Sequence, residues 1–495
     1  MLKTFDEIVI NKPQIKAIKY NDTILTYKEL DILVNRIANL IKFKIRKKEQ
    51  NHYLGASNPN NTIVPIHITK SHFTVASILA VWKLGLAYTA IDKQTPEARF
   101  KYLVSQIKPI IVIDEDFIEE LEDLDEGFEE PINKEEYIVA DDLACVIYTS
   151  GTTGTPKGVL INYKQLSITS NNILKLIEKY LTNTCVALIP SFSTIAANII
   201  TFGVILAGGY LHIIPDEKII NLPYLIKYIK ENKITGSMFP PQLAEKFLKY
   251  ADGLLQLLVV STDKVSNIHS LETIILNLYG QSETLGFNTV FQIDKPYKDT
   301  PIGKPHGDVD VYLLDENQGK IKDAGVVGEI YVARQLAMGY LGDDKLTTEN
   351  FIPNPYSESD EDKIMYKTGD LAYYNISGDL VYLQRKDFMI NIHGYRVEPT
   401  EVENAINSIK GIKESVVAGF DVSKMTNTEN DIRIYAGIVT ENNEEIKNKL
   451  SRLLPPYMIP SIIKTIDNIP LNQIGKIDRK NILPENLMDY FLIEN

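Results

Sequence analysis

Cysteine is nearly absent: only Cys145 and Cys185 occur among 495 residues. They are too few for a disulfide framework and too far apart for a metal knuckle or a redox pair. A reducing, cytoplasmic setting is expected. Met1 to Pro13 mixes acidic and basic residues and lacks the apolar centre of a signal peptide. Thr194 to Ile214 is about as long as a spanning helix, but Asn198, Thr201, Gly208-Gly209 and His212 interrupt it. It reads as a buried helix followed by a strand, and no membrane partner is expected. Basic charge is also short, with 52 Lys and Arg against 65 Asp and Glu and a net charge of −13. A nucleic-acid partner held through phosphates needs an accumulated basic face, so that class is excluded. The deficit is local. Asp114 to Asp142 holds fifteen acidic residues and one basic residue, Lys134, a block of −14 that leaves the rest of the chain at +1. The block reads as a solvated connection.

Single cores stop growing at about 250 to 300 residues, so a chain of this length should divide into two or more domains. Strand-like Ile63 to Ile68, Ala87 to Ile91, Pro109 to Ile113 and Ala144 to Tyr148 alternate with helical stretches such as Val75 to Leu84. This alternation predicts an α/β fold with helices covering sheet faces. In the last hundred residues the texture changes. Glu398-Pro399 opens a helix with apolar Val402, Ala405, Ile406 and Ile409 at helical spacing. Strand-like Glu414 to Gly419 and Ile432 to Val439 follow, then a helix near Asn443 to Leu454. A small C-terminal α+β domain is expected, entered around Arg385 to Asp387.

The strongest local signal is Tyr148-Thr149-Ser150-Gly151-Thr152-Thr153-Gly154-Thr155-Pro156-Lys157-Gly158, between two strand-like segments. Glycine and hydroxyl residues let backbone N–H groups wrap a phosphate chain, and Lys157 adds a positive charge. It is not a Walker loop, because Pro156 and Gly158 flank the lysine. Tyr279-Gly280-Gln281-Ser282-Glu283 brings an aromatic plane, a hydroxyl and a carboxylate into one tight turn. Thr284 stands where a hydrolase elbow needs glycine, so Ser282 is not read as a nucleophile.

These motifs occur with Leu25 to Leu30, Leu84 to Asp92, Asn277 to Thr284, Gly328-Glu329-Ile330, Tyr366 to Asp370, Leu454 to Pro460 and Asn472 to Arg479. In that order they resemble the adenylate-forming enzymes, most closely the adenylation domains of nonribosomal peptide synthetases and the D-alanine-carrier protein ligases. The resemblance implies a core of layered α/β subdomains over residues 1–386 and a mobile α+β domain over 387–495, hinged at Asp387. It implies ATP binding by Thr149, Ser150, Gly151, Thr152, Thr153, Gly154, Asn277, Tyr279, Gly280, Ser282, Asp370, Tyr382 and Arg385. Tyr279 would carry the adenine, Asp370 the ribose, and Glu283 a Mg²⁺ ion. The catalytic set would be Lys476, Glu283 and Lys157, with Lys476 bridging the α-phosphate and the substrate carboxylate. An acyl-AMP would form, pyrophosphate would leave, and the phosphopantetheine thiol of an acyl or peptidyl carrier protein would take the acyl group. Gln281 and Ser282 replace the usual proline and threonine, Gln384 a glycine, Asn391 a lysine and His393 an arginine.

Relatives that activate α-amino acids carry a Phe-Asp whose aspartate pairs with the substrate ammonium. Here that position falls on Ile195, or on Ser193 if Phe192 is the anchor, and no residue from Leu181 to Pro215 is acidic. Burying an ammonium without a counter-charge costs several kcal/mol. The other wall positions would be Ala196, Ile199, Gln242, Val259, Ser261, Leu278, Gly286 and Phe287. The expected substrate is a carboxylic acid without an α-ammonium: an α-keto, α-hydroxy, aryl or short aliphatic acid. An acyl-CoA synthetase using free CoA, an amino-acid-activating domain with an atypical pocket, and a non-catalytic scaffold are the alternatives. No His-His-x-x-x-Asp-Gly or Gly-Gly-x-Ser motif is present, as expected of a free-standing enzyme or a section of a larger assembly.

Overall fold

The structure is a computed structural model describing residues 1–51, 63–124, 128–132, 141–150, 155–261, 263–386, 389–392, 394–426, 431–440, 446–470, 479 and 482–483. Its centre is a nine-stranded sheet in which Leu257–Val260, Gly236–Phe239, Cys185–Leu188 and Tyr210–Ile213 run side by side in that order, all parallel. Ile274–Tyr279 extends one side in parallel, and Thr289–Ile293 then pairs with it antiparallel. The parallel strands are fully or largely buried, as expected when helices cover both faces of a parallel sheet, whereas Thr289–Ile293 is buried only at its two ends.

The Thr194 to Ile214 stretch forms helix Ile195–Leu206 and strand Tyr210–Ile213, as its interruptions predict. Every residue of that helix is buried, and Thr194 caps it by accepting from the Ala197 N–H. Helix Tyr163–Tyr180 packs against it through Ile173 and Ile177. A Cβ on Gly203 would lie 3.0 Å from Ile173, so glycine sets how closely the two helices approach. No helix among the described residues is long and apolar enough to cross a membrane.

A second sheet, of five strands, contains Leu143–Thr149 and its antiparallel neighbour Lys157–Asn162. The glycine-rich segment therefore connects two adjacent, hydrogen-bonded strands. A third sheet carries Gly328–Ala333, Ile364–Tyr374 and Leu380–Arg385. Further along, hairpin Ile390–Ile392/Tyr395–Val397, helix Pro399–Asn407 and the sheet Ile412–Asp421, Ile432–Thr440, Ile462–Thr465 build the smaller C-terminal α+β domain around apolar clusters of its own. Asp387, the expected hinge, lies outside the described residues.

Three expectations are corrected. Asp114 to Asp142 is not solvated connection throughout, because Glu115–Glu122 is a helix. Phe117, Ile118 and Leu121 bury one side of it, Asp114 accepts from the Phe117 N–H at 3.0 Å, and Arg36 donates to Leu121 O at 2.9 Å. Pro109 to Ile113 forms no strand and contributes only an isolated bridge from Ile113 to Ile66. The helix expected near Asn443 to Leu454 ends at Leu450, four residues early, and its expected start at Asn443 lies outside the described residues.

Candidate active site

Where the carboxyl ends of the central strands meet the third sheet and the C-terminal hairpin, the fold leaves a cavity of about 620 Å³. Open α/β sheets place ligand crevices at such strand ends. Strand Ile274–Tyr279 delivers Asn277, Leu278 and Tyr279 to the wall, and the turn that follows adds Gly280, Gln281, Ser282 and Glu283. Glycine is required in this turn, because a Cβ on Gly280 would fall 1.6 Å from Gly286 O. The 3-10 turn Ser282–Thr284 then drives the Glu283 side chain inward until none of it is exposed.

Glu283 sits in a charged cluster. Its Oε1 is 2.9 Å from Lys157 Nζ and 3.7 Å from an Arg396 guanidinium nitrogen, and it accepts from Tyr340 Oη at 3.1 Å. Burial works to raise the Glu283 pKa, but the charges of Lys157 and Arg396 outweigh it and hold the carboxyl well below the usual range. Glu283 is therefore an anion. Its second oxygen, Oε2, is buried and has no hydrogen-bond partner. Lys157 is placed for this pairing at the start of strand Lys157–Asn162, across from strand Gly339–Tyr340.

A second cluster surrounds Asp370. Strands Ile364–Tyr374 and Leu380–Arg385 set Asp370 directly opposite Arg385, and Arg385 Nη1 donates to Asp370 Oδ1 at 3.0 Å. Tyr279 Oη and Gln281 Nε2 each donate to Asp370 Oδ2 at 2.5 Å. Burial first, and then the Asp370 charge, push the Tyr279 hydroxyl pKa well up, so it remains a donor. Glu329, from the Gly328-Glu329-Ile330 motif, supports this cluster by accepting from Gly369 N at 3.2 Å and from Lys386 Nζ at 3.1 Å.

The C-terminal part closes the cavity with Met389, Gly394, Tyr395, Arg396 and Tyr457. Ser150 Oγ donates to Arg396 O at 2.7 Å, the Tyr395 and Tyr457 rings stack with centroids 4.1 Å apart, and half-buried Arg99 forms an ion pair with buried Glu401.

Thr149, Ser150, Asn277, Tyr279, Gly280, Ser282, Glu283, Asp370, Tyr382 and Arg385 all line this one cavity, as do Ile195, Ala196, Ser261, Leu278, Gly286 and Phe287. Lys157 reaches it through Glu283. Three expected wall residues stand back from it. Ile199 packs behind Gly286, where a Cβ would meet it at 2.7 Å. Val259 lines a separate apolar void of about 40 Å³. Gln242 is buried in helix Pro241–Ala251, where it donates to Asp263 at 3.2 Å. Gly151, Thr152, Thr153, Gly154, Lys476, Asp387 and His393 lie outside the described residues. Gln281, Tyr340 and Arg396 were not anticipated. Gln281 could have been, because it sits between two expected residues. Arg396 and Tyr340 join the site only through tertiary packing.

The profile of the AMP-binding enzyme family matches residues 5–341. The chain belongs to this family. As a member it is an AMP-binding enzyme, and its matches among peptide synthetases are single segments of much longer proteins. Bacitracin synthase 1 of Bacillus licheniformis is 32% identical over 499 residues, covering 97% of this chain but only 9% of that protein's length. Among solved structures, the artificially fused adenylation–PCP di-domain NpsA-ThdA from Klebsiella oxytoca is similar with a TM-score of 0.78 and 23% identity, covering 93% of both chains. The o-succinylbenzoate CoA synthetase of Bacillus subtilis gives 0.79 at 18% identity, with 98% of both chains covered. At these identities the structural likeness establishes the fold alone.

Proposed function

We propose that this AMP-binding enzyme activates a carboxylic acid lacking an α-ammonium group and passes it to the phosphopantetheine thiol of a carrier protein. The observation that carries the substrate class is Ile195. It opens the buried helix Ile195–Leu206 and lines the cavity, as does Ser193; these are the two positions on which the family resemblance would put the ammonium-binding aspartate. The carboxylates that do line the cavity are already engaged: Asp216 by Lys70, Glu283 by Lys157, Asp370 by Arg385, and Asp263 by Gln242 and the Lys264 N–H. Ser191 and Ser193 line the cavity beside Ile195 and both donate to Asp92, so an α-ammonium would find no unengaged carboxylate there.

In this reading Tyr279 and Asn277 flank the adenine, Asp370 takes the ribose hydroxyls, and Lys157, Ser150 and the glycine-rich segment take the phosphates. A substrate carboxylate oxygen attacks the α-phosphorus. The new O–P bond forms as the bond to pyrophosphate breaks, and pyrophosphate leaves with the electron pair. Two anions meet in this step, so cationic side chains must offset the repulsion. Glu283 fits a Mg²⁺ ion through its unpartnered Oε2, since Mg²⁺ is usually held by one or two carboxylates, with phosphate oxygens and waters completing the shell. Bound there, the ion supplies charge neutralisation. The carrier thiolate then attacks the acyl carbon, a C–S bond forms, and AMP departs. Asp387 is the proposed hinge between residues 1–386 and the C-terminal domain.

ATP–pyrophosphate exchange across keto, hydroxy, aryl, fatty and amino acids tests the substrate class. Strongest exchange with a proteinogenic amino acid would overturn it. Comparing thioester formation on a carrier protein with that on free CoA tests the acceptor.

A further inference from the structure

Gln281 is held rigidly at its backbone. Its carbonyl accepts from Thr284 N at 3.1 Å and from Gly286 N at 2.8 Å, while its own N–H meets Thr284 Oγ1 at 3.1 Å. From this fixed turn the side-chain amide reaches across to the third sheet. Nε2 donates to Thr368 O at 3.1 Å and to Asp370 Oδ2 at 2.5 Å. The same Asp370 oxygen takes the Tyr279 hydroxyl, and the other takes Arg385.

A carboxylate has about four acceptor sites and turns about its own Cβ–Cγ bond. Donors on both oxygens fix that plane. Without Gln281, Oδ2 would keep only a phenol hydroxyl, whose hydrogen is itself free to rotate. A proline at 281 would offer no side-chain donor. The amide also ties the Tyr279–Glu283 turn to the strand that carries Asp370, joining the adenine and ribose sides of the cavity through one residue.

We propose that Gln281 is a positioning residue for the nucleotide ribose, locking the Asp370 carboxylate so that its remaining acceptor site, on Oδ1, faces a ribose hydroxyl. This rests on the reading of Asp370 as the ribose ligand. Geometry fixed by side chains locked in this way is what makes a binding constellation selective.

The test measures exchange kinetics of the full chain with ATP, 2′-deoxy-ATP and 3′-deoxy-ATP, using the best acid, for the parent, Gln281→Leu, Gln281→Asn and Asp370→Asn, each with its Tm. Loss of a hydrogen bond to a charged group should raise the KM for ATP roughly tenfold in Gln281→Leu, with kcat within about twofold. Discrimination against the deoxynucleotides should shrink in the same variant. Gln281→Asn, too short to bridge, should behave alike and serves if the leucine variant does not fold. Unchanged KM and discrimination at position 281, with both lost in Asp370→Asn, would overturn the role of Gln281 alone. Equal losses for all three nucleotides together with a lowered Tm would reduce Gln281 to a structural role and overturn it as well. Full discrimination retained in Asp370→Asn would instead remove the ribose reading beneath it.

Discussion

Lys157 Nζ and Glu283 Oε1 lie 2.9 Å apart, with 9% and 0% of their side chains exposed. Removing one member of such a pair leaves a charge in a low-dielectric site, a loss of about 3 to 5 kcal/mol, whereas removing both costs much less. Lys157→Met should therefore destabilise the protein strongly, and Lys157→Met/Glu283→Gln should recover part of the loss. Urea unfolding of the two single variants and the double variant measures the coupling. Simple additivity would show that the pair is not energetically coupled.

A carboxylate placed where Ile195 now lines the cavity should supply the missing counter-charge. Ile195→Asp should gain exchange with an α-amino acid and lose at least about tenfold with the natural acid, because the new anion would be buried against an apolar acyl group. Tm separates this shift from general damage. If exchange with the preferred acid persists and no amino acid is gained, Ile195 does not occupy the ammonium-binding position.

His212 sets an acid limit on stability. It is 1% exposed, its Nδ1 lies 3.1 Å from Tyr228 Oη, and its Nε2 has no partner. Burial, with lesser contributions from Lys19 and Lys16, pushes its pKa down to about 3 from 6.5. The folded state keeps the ring neutral while the unfolded chain takes up a proton below 6.5. The contribution is thus intact above 6.5 and is lost as the pH falls toward 3, at up to about 1.4 kcal/mol per unit. His212→Gln should flatten the fall of unfolding free energy over that interval by about one proton. Parallel curves for parent and variant would contradict this.

Much of the site was legible in sequence because its residues come in short runs with local roles. The Tyr279–Glu283 turn, the strands flanking the glycine-rich segment and the Asp370 turn each announce themselves within a few residues. The register between strands does not. The family resemblance brings Arg385 to the aid of Asp370, but no local pattern in the sequence gives the strand register that sets them directly opposite and makes the ion pair. Arg396 meets Glu283 only after the C-terminal hairpin docks, and Gln281 meets Asp370 only after two sheets come together. The acidic block misled for a related reason: its charge count concealed Phe117, Ile118 and Leu121, which suffice to bury one face of a two-turn helix. The family resemblance puts Val259 and Ile199 on the wall, and packing sets them one layer behind it.

Lys476 tests the division of labour between the two parts of the chain. Among the described residues the C-terminal wall of the cavity is Met389, Gly394, Tyr395, Arg396 and Tyr457, with Arg396 on Glu283. Arg396 faces Glu283 Oε1, the oxygen that Lys157 also holds, so that both cations are directed to this carboxylate. Negative charge builds up at the α-phosphate during attack, and Lys476 is the proposed cation that offsets it. Lys476→Ala should slow adenylate formation by about a hundredfold or more, the usual loss for a group that acts on developing charge, with ATP affinity largely intact. Thioester formation from preformed acyl-AMP should proceed at the parent rate in the same variant, because that step begins after the pyrophosphate bond has broken. Rapid-quench measurement of the two half-reactions separates them. Unchanged adenylation, or equal slowing of both steps, would sink the proposed role of Lys476.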